Sequence, residues 1–439
     1  MISRFSILFR RRQSPVQQKI WRLAWPMILA NISVPLLGFV DTAVIGHLPD
    51  STYLAGTALG SLLITVLFWI CGFLRMSTTG LVAQAVGRCD AYAVTRTLMQ
   101  GMTLALSLAI LILIFREPLF DLLPLLTHSS DELRLALGFA QEYFDIRIWI
   151  APVSLISLVM TGFLIGKGQT RKVLVAVVSC NLVNLVADIL FVPVLGLNVA
   201  GVAYASVLAE VTQFVILTAY VMPKANLKLW RSVQLSRGLG QVFHLNSTLF
   251  MRSALLQLCL SFMTIYASRY GQSAIAVNAI LMQFFLFISF TMDGIAFALE
   301  SLVGKSYGAL QIWKAKLYIR RGMAMAFKLS LVYCLIYGLM YEWIVASLTS
   351  IASLRVELSQ FWWCAVLMPL VSFASFIYDG VFIGLSWVKE MRNSMAIAMI
   401  SYFVLVFMTL SMGNQGLWLA FLTFLMMRGV SQHWMMRHL

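Results

Sequence analysis

Long apolar runs, cut by short polar and basic stretches, organise the whole chain of 439 residues. A segment crossing a bilayer needs roughly 20 mainly apolar residues, since a helix rises about 1.5 Å per residue through about 30 Å of hydrocarbon. On that rule the pattern predicts helices near 21–46, 53–78, 97–115, 143–166, 172–193, 199–221, 243–268, 274–303, 322–341, 359–386, 393–412 and 415–436. The fold class is an all-α integral membrane protein with twelve transmembrane helices. No polar stretch between them is long enough to make a separate soluble domain.

The pattern also repeats. APVSLISLVMTGFLIG (151–166) aligns without gaps on PLVSFASFIYDGVFIG (369–384), an offset of 218. TALGSLL (57–63) aligns on NAILMQF (278–284), with Gly87 on Gly308, an offset of 221. Two offsets of about six helices each imply two pseudo-symmetric six-helix lobes in parallel topology, related by an axis along the membrane normal. The organisation is then a basic N-terminus (1–20), a first lobe (21–221), a connecting loop (222–242) and a second lobe (243–439). The repeated helix carries Gly162 and Gly166 in one lobe, Gly380 and Gly384 in the other. Small residues at that spacing let helices approach closely.

Composition agrees: 61% of residues are hydrophobic and 11% charged, against about 25% charged in soluble domains. The net charge of +15 does not point to nucleic acid, because the cations follow the loops. Arg4, Arg10, Arg11, Arg12 and Lys19 precede the first span, and Lys224, Lys228, Arg231 and Arg237 lie in the connecting loop. The loops that alternate with these hold only Arg116, Arg134, Arg269 and Arg355, so both termini are expected in the cytoplasm. Six scattered cysteines and five dispersed histidines lack the spacing of a metal site or a disulfide framework.

Enzyme motifs fail on inspection. Gly304-Lys305-Ser306 resembles the end of a phosphate-binding loop, but Leu299 stands where the first glycine of that motif belongs. Transport driven by a gradient is the remaining reading. Ionisable residues inside spans are then the candidates, because a charge there costs at least a few kcal/mol.

The first helix carries Asp41, with Pro26 and Pro35 positioned to bend it. On the fifth helix Asn181, Asn184 and Asp188 share one face, and on the sixth Ser206, Glu210 and Gln213 do the same. Two polar stripes on adjacent helices most simply line one cavity with Asp41; a structural hydrogen-bond network is the alternative. The second lobe holds Arg252, Asn278, Asp293, Glu300 and Asp379, where transport chemistry and a charge-paired scaffold are equally compatible with the residues.

These segments resemble a known family. WRLAWPMILANISVPLLGFVDTAVIGHL, LRMSTTGLVAQAVGR, NAILMQFF, MDGIAFALESLVGKSYGA and YDGVFIG are similar to the multidrug and toxic compound extrusion (MATE) family, most of all its DinF branch. The resemblance implies two lobes around a central cleft and export of amphipathic, often cationic drugs by antiport. It implies Asp41 as the proton-coupling carboxylate with Asp188 beside it, Pro26 as the hinge, and Asn184 and Ser206 as polar partners. Asn181, Glu210 and Asn278 complete the expected cavity. Asp379 matches an acid of the sodium-coupled NorM branch, but no Asp or Glu occurs between His244 and Arg269 to supply that branch's seventh-helix glutamate. Protons are therefore the expected coupling ion, sodium the second choice, with no cofactor or metal. A monomer in the inner membrane, meeting lipid and small-molecule drugs, completes the expectation. The alternative is a lipid-linked oligosaccharide flippase of the same wider superfamily, against which the basic residues Arg75, Arg147, Arg252 and Lys328 are dispersed.

Overall fold

A polypeptide in hydrocarbon must satisfy its backbone polar groups within each segment, and the helix does this locally. The structure, a computed structural model, describes residues 14–46, 51–126, 131–222, 232–348 and 352–439, and among these no strand occurs. Helix α1 spans Pro15–Gly46 and stays helical across both Pro26 and Pro35. Helices α2 (Ser51–Ile70) and α3 (Phe73–Gly87) form one span broken only by a turn at Cys71 and Gly72. Then come α4 (Ala91–Ile114), α5 (Arg116–Leu126) and α6 (Asp131–Arg147), the last passing through a short turn into α7 (Ala151–Gly166). Helix α8 (Thr170–Ile189) ends in a wide turn at Leu190–Val194, and α9 is Asn198–Val221.

The second half begins with α10 (Leu239–Ala267) and α11 (Gln272–Gly308). It continues with α12 (Ile312–Leu339), α13 (Tyr341–Leu348), α14 (Ala352–Leu385), α15 (Val388–Met408) and α16 (Asn414–Met435). Among the described residues, ten segments are long and apolar enough to cross a membrane. Helix α16 is not one of them; it carries Arg428 and Gln432, both buried inside its unit.

The second predicted helix was expected to end near residue 78, yet the span continues to Gly87. Ser77, Thr78 and Thr79 lower its hydropathy without exposing a polar group. Thr78 and Thr79 donate their hydroxyls to the Leu74 and Arg75 carbonyls at 2.7 and 2.8 Å, and Ser77 donates to Asn246 Oδ1 at 2.7 Å.

Packing divides the chain into residues 29–246 and a second unit of 247–439 with the residues up to Ile28. The division therefore falls inside α1, two residues after Pro26. The first part of α1 joins the second unit because Ile28 lies directly against Gly294 and Lys19 stands 5.9 Å over the Tyr318 ring. Asn246, at the start of α10, belongs with the first unit through its bond to Ser77. There Gln100 on α4 also holds the chain after the connecting loop, donating to the carbonyls of Leu235 (2.8 Å) and Arg237 (3.0 Å).

The duplication is visible in packing. In the first unit Gly162 and Gly166 of α7 rest on the Arg75 and Thr79 carbonyls of α3. In the second, Gly380 and Gly384 of α14 rest on the Ala296 and Glu300 carbonyls of α11, where added Cβ atoms would lie only 2.5 and 2.8 Å from oxygen. These pairs stand 218 and 221 positions apart, the offsets of the sequence repeat. The helix ends repeat as well. Cys89 and Leu310 both adopt left-handed backbone (φ 57° and 58°), as do Gly168 and Ser386 (φ 69° and 57°), closing the ends of α3, α11, α7 and α14. Large apolar side chains such as Ile265, Phe407 and Leu339 are exposed on helix surfaces, as a lipid-facing protein requires.

Candidate functional site

Helices α8 and α9 lie side by side within the first unit, and their facing polar residues open into a cavity of about 440 Å³. Asn184, Ser206, Glu210 and Gln213 line it, with Ser154, Ser157 and Thr161 from α7 and Thr57, Ser61 and Thr65 from α2. Leu54, Phe68, Leu158 and Val202 supply its apolar surface. Such a mixture of apolar wall and convergent polar groups suits a small amphipathic ligand.

Two features give the cavity its chemistry. Arg147, at the end of α6, places Nη2 2.8 Å from Glu210 Oε1, and Ser154 donates its hydroxyl to Glu210 Oε2. The acid is thus held from two helices while its side chain remains partly open to the cavity. Asn184 is 1% exposed, and neither the nitrogen nor the oxygen of its amide meets a hydrogen-bond partner among the described residues. A buried amide left unsatisfied costs about 1–3 kcal/mol. A ligand in the cavity could recover that cost.

The two polar stripes meet in this cavity through Asn184, Ser206, Glu210 and Gln213, but two members of the α8 stripe do not reach it. Asn181 turns toward α1 and donates to Ser33 Oγ at 2.7 Å, and Asp188 is fully buried; neither lines the cavity. One helix face is wide enough to touch two neighbours, and α8 uses its face in that way. Asp41 lies on the backbone of α1, but its side chain, like all those from Leu36 to Gly46, lies outside the described residues. Pro26 is buried in the part of α1 that packs with the second unit.

Asn278 and Asp379 belong to the second unit and do not line the cavity of the first. Asn278 exchanges two amide hydrogen bonds of 2.9 Å with Asn414 and accepts from Trp418 Nε1 at 2.7 Å. That network is closed and buried. Asp379 Oδ2 accepts from Arg252 and, at 2.7 Å, from Arg428, while Oδ1 accepts from Gln432 at 2.6 Å. The charge-paired scaffold that the residues allowed is thus formed by Arg252 with Asp379. Arg428 and Gln432 were missed, although a basic and an amide residue four apart in an apolar last helix are a visible signal. Arg147 was seen only as a scattered cation, since its partner lies on a different helix.

Comparison with known proteins places this geometry. The MatE family model matches residues 26–190 and 249–410, one stretch in each half. The chain is 38% identical to DNA damage-inducible protein F of Escherichia coli K12, covering 94% of this chain and 92% of that protein. It is 21% identical to a probable multidrug resistance protein NorM of Halalkalibacterium halodurans, covering 94% and 92%. Among solved structures, an outward-facing conformation of a multidrug resistance MATE family transporter of the MOP superfamily shares the fold, with a TM-score of 0.85 and 19% identity over 97% of this chain and 96% of that one. The chain belongs to the MatE family of multi-pass membrane transporters.

Proposed function

We propose that the protein exports amphipathic small molecules, cationic ones included, across the inner membrane in exchange for protons, with both termini in the cytoplasm. The observation that carries the reading is the cavity of the first unit, where Glu210 and the unsatisfied Asn184 amide face apolar wall. The naming of NorM relatives for multidrug resistance supports the substrate class. The preference for protons rests on Asp379, whose two oxygens are already occupied by two guanidinium groups and an amide, a poor site for a sodium ion.

The working cycle uses α1. Asp41 lies in the part that packs with the first unit, and Pro26 lies two residues before the change of unit. Protonation removes the charge of Asp41, α1 shifts about Pro26, and the cavity contracts to expel the drug. Deprotonation restores it, with Asp188 buried on α8 as the second carboxylate of the relay. Each proton moving down 100 mV supplies about 2.3 kcal/mol, enough to drive such a change.

The test uses inverted vesicles loaded by the wild-type protein with a fluorescent lipophilic cation. A pH gradient, acid inside, should drive uptake without sodium. Uptake driven by a sodium gradient alone would contradict proton coupling.

A further inference from the structure

We propose that a groove along α12, in the second unit, is a binding site for an anionic phospholipid. The groove encloses about 530 Å³ and is lined at one end by Lys316 and Arg320 and beyond them by Met323, Phe327, Phe373 and Tyr378. Lys316, Arg320, Met323 and Phe327 follow the spacing of a single helix face. Both cations are exposed, and neither forms an ion pair, hydrogen bond or ring contact among the described residues. Lys314, two residues before Lys316, instead stands 5.3 Å over the Trp313 ring.

The length of the groove selects the ligand. From Lys316 to Phe327 is eleven residues, about 16 Å along the helix. That equals about one leaflet of hydrocarbon, half of the roughly 30 Å core. The rings of Phe327 and Phe373, 5.5 Å apart, form an apolar floor where an acyl chain would run. On the groove's wall the Tyr378 hydroxyl is hydrogen-bonded to His433 Nδ1 at 2.6 Å. A soluble anion would use the two cations and leave the apolar length empty. A phospholipid uses both.

A basic side chain near an anionic lipid surface raises affinity about fivefold, so two acting together give about 25-fold. Lipid binding to the full-length protein in mild detergent can be followed by native mass spectrometry. Dioleoyl phosphatidylglycerol should bind about 25-fold more tightly than dioleoyl phosphatidylcholine. Lys316→Gln combined with Arg320→Gln should erase that preference, and Lys314→Gln should retain it. Both changed residues are exposed, so an unchanged melting temperature in phosphatidylcholine serves as the folding control. The proposal is overturned if the double variant keeps the preference, or if Lys314→Gln loses as much of it. It is overturned equally if glycerol 3-phosphate displaces phosphatidylglycerol at matching concentration, since the site would then read a headgroup alone.

Discussion

Arg428 Nη2 donates to Asp379 Oδ2 at 2.7 Å, deep in the second unit, with Arg252 on the same carboxylate oxygen. Arg428 is 1% exposed and Arg252 5%, so the Asp379 carboxylate holds two buried guanidinium groups. Removing one member of a buried charge network leaves the others uncompensated, at a cost of about 3–5 kcal/mol. Asp379→Asn should therefore lower the melting temperature sharply in detergent, while the residual transport keeps the ion preference of the wild type. Wild-type melting together with a lost response to one cation would make Asp379 an ion ligand instead.

Glu210 is the acid that the cavity offers directly. Glu210→Gln keeps its size and can still accept from Ser154, but leaves the Arg147 charge unbalanced. A hydrogen bond to a charged group is worth about 1.5–3 kcal/mol. Binding of a cationic amphipath, measured by fluorescence titration, should weaken roughly tenfold or more, consistent with that range. A neutral analogue of the same shape should change little. Equal loss for both ligands would assign Glu210 a structural role.

The repeated helix seam makes a pair of opposite predictions. Gly380→Ala places a methyl group 2.5 Å from the Ala296 carbonyl oxygen, so α14 must move away from α11 and folded yield should fall. Ser386→Gly, which gives that helix end the glycine its counterpart Gly168 already has, should stabilise by about 1 kcal/mol through relief of left-handed backbone. Thermal melts of the two variants in the same detergent check both signs.

Much of this molecule was legible in the sequence, because lipid leaves helices little freedom and apolar length reports them directly. The repeat was legible too, since Gly162 and Gly380 must meet carbonyls in both halves. The span through Ser77, Thr78 and Thr79 was cut short because hydropathy cannot see that a hydroxyl is already bonded to its own helix. The site was harder. Hydrophobic periodicity brought Asn184, Ser206 and Glu210 to one cavity, but it could not separate Asn184 from Asn181, which faces Ser33 on another helix. Pairings between helices, such as Arg147 with Glu210, depend on packing that no local pattern carries.

The orientation proposed from the loop charges can be checked by cysteine labelling on a cysteine-free background. A membrane-impermeant maleimide added to whole cells should label a cysteine at Asn198. Cysteines at Gln169 and Ser236 should react only after the membrane is opened. The reverse pattern would place the basic loops outside.

The central claim is that one carboxylate on α1 couples protons to export, and Asp41→Asn tests it most directly. A charge at that depth costs at least a few kcal/mol, so a neutral isostere should fold and insert as well as the wild type. It also mimics the protonated state permanently, holding the cavity contracted. In inverted vesicles carrying an imposed pH gradient, the wild type should dissipate the gradient when a cationic drug is added. The Asp41→Asn protein should not, while Asp50→Asn should match the wild type. Drug-induced proton release at the normal rate by Asp41→Asn would contradict the account and move the coupling site off α1.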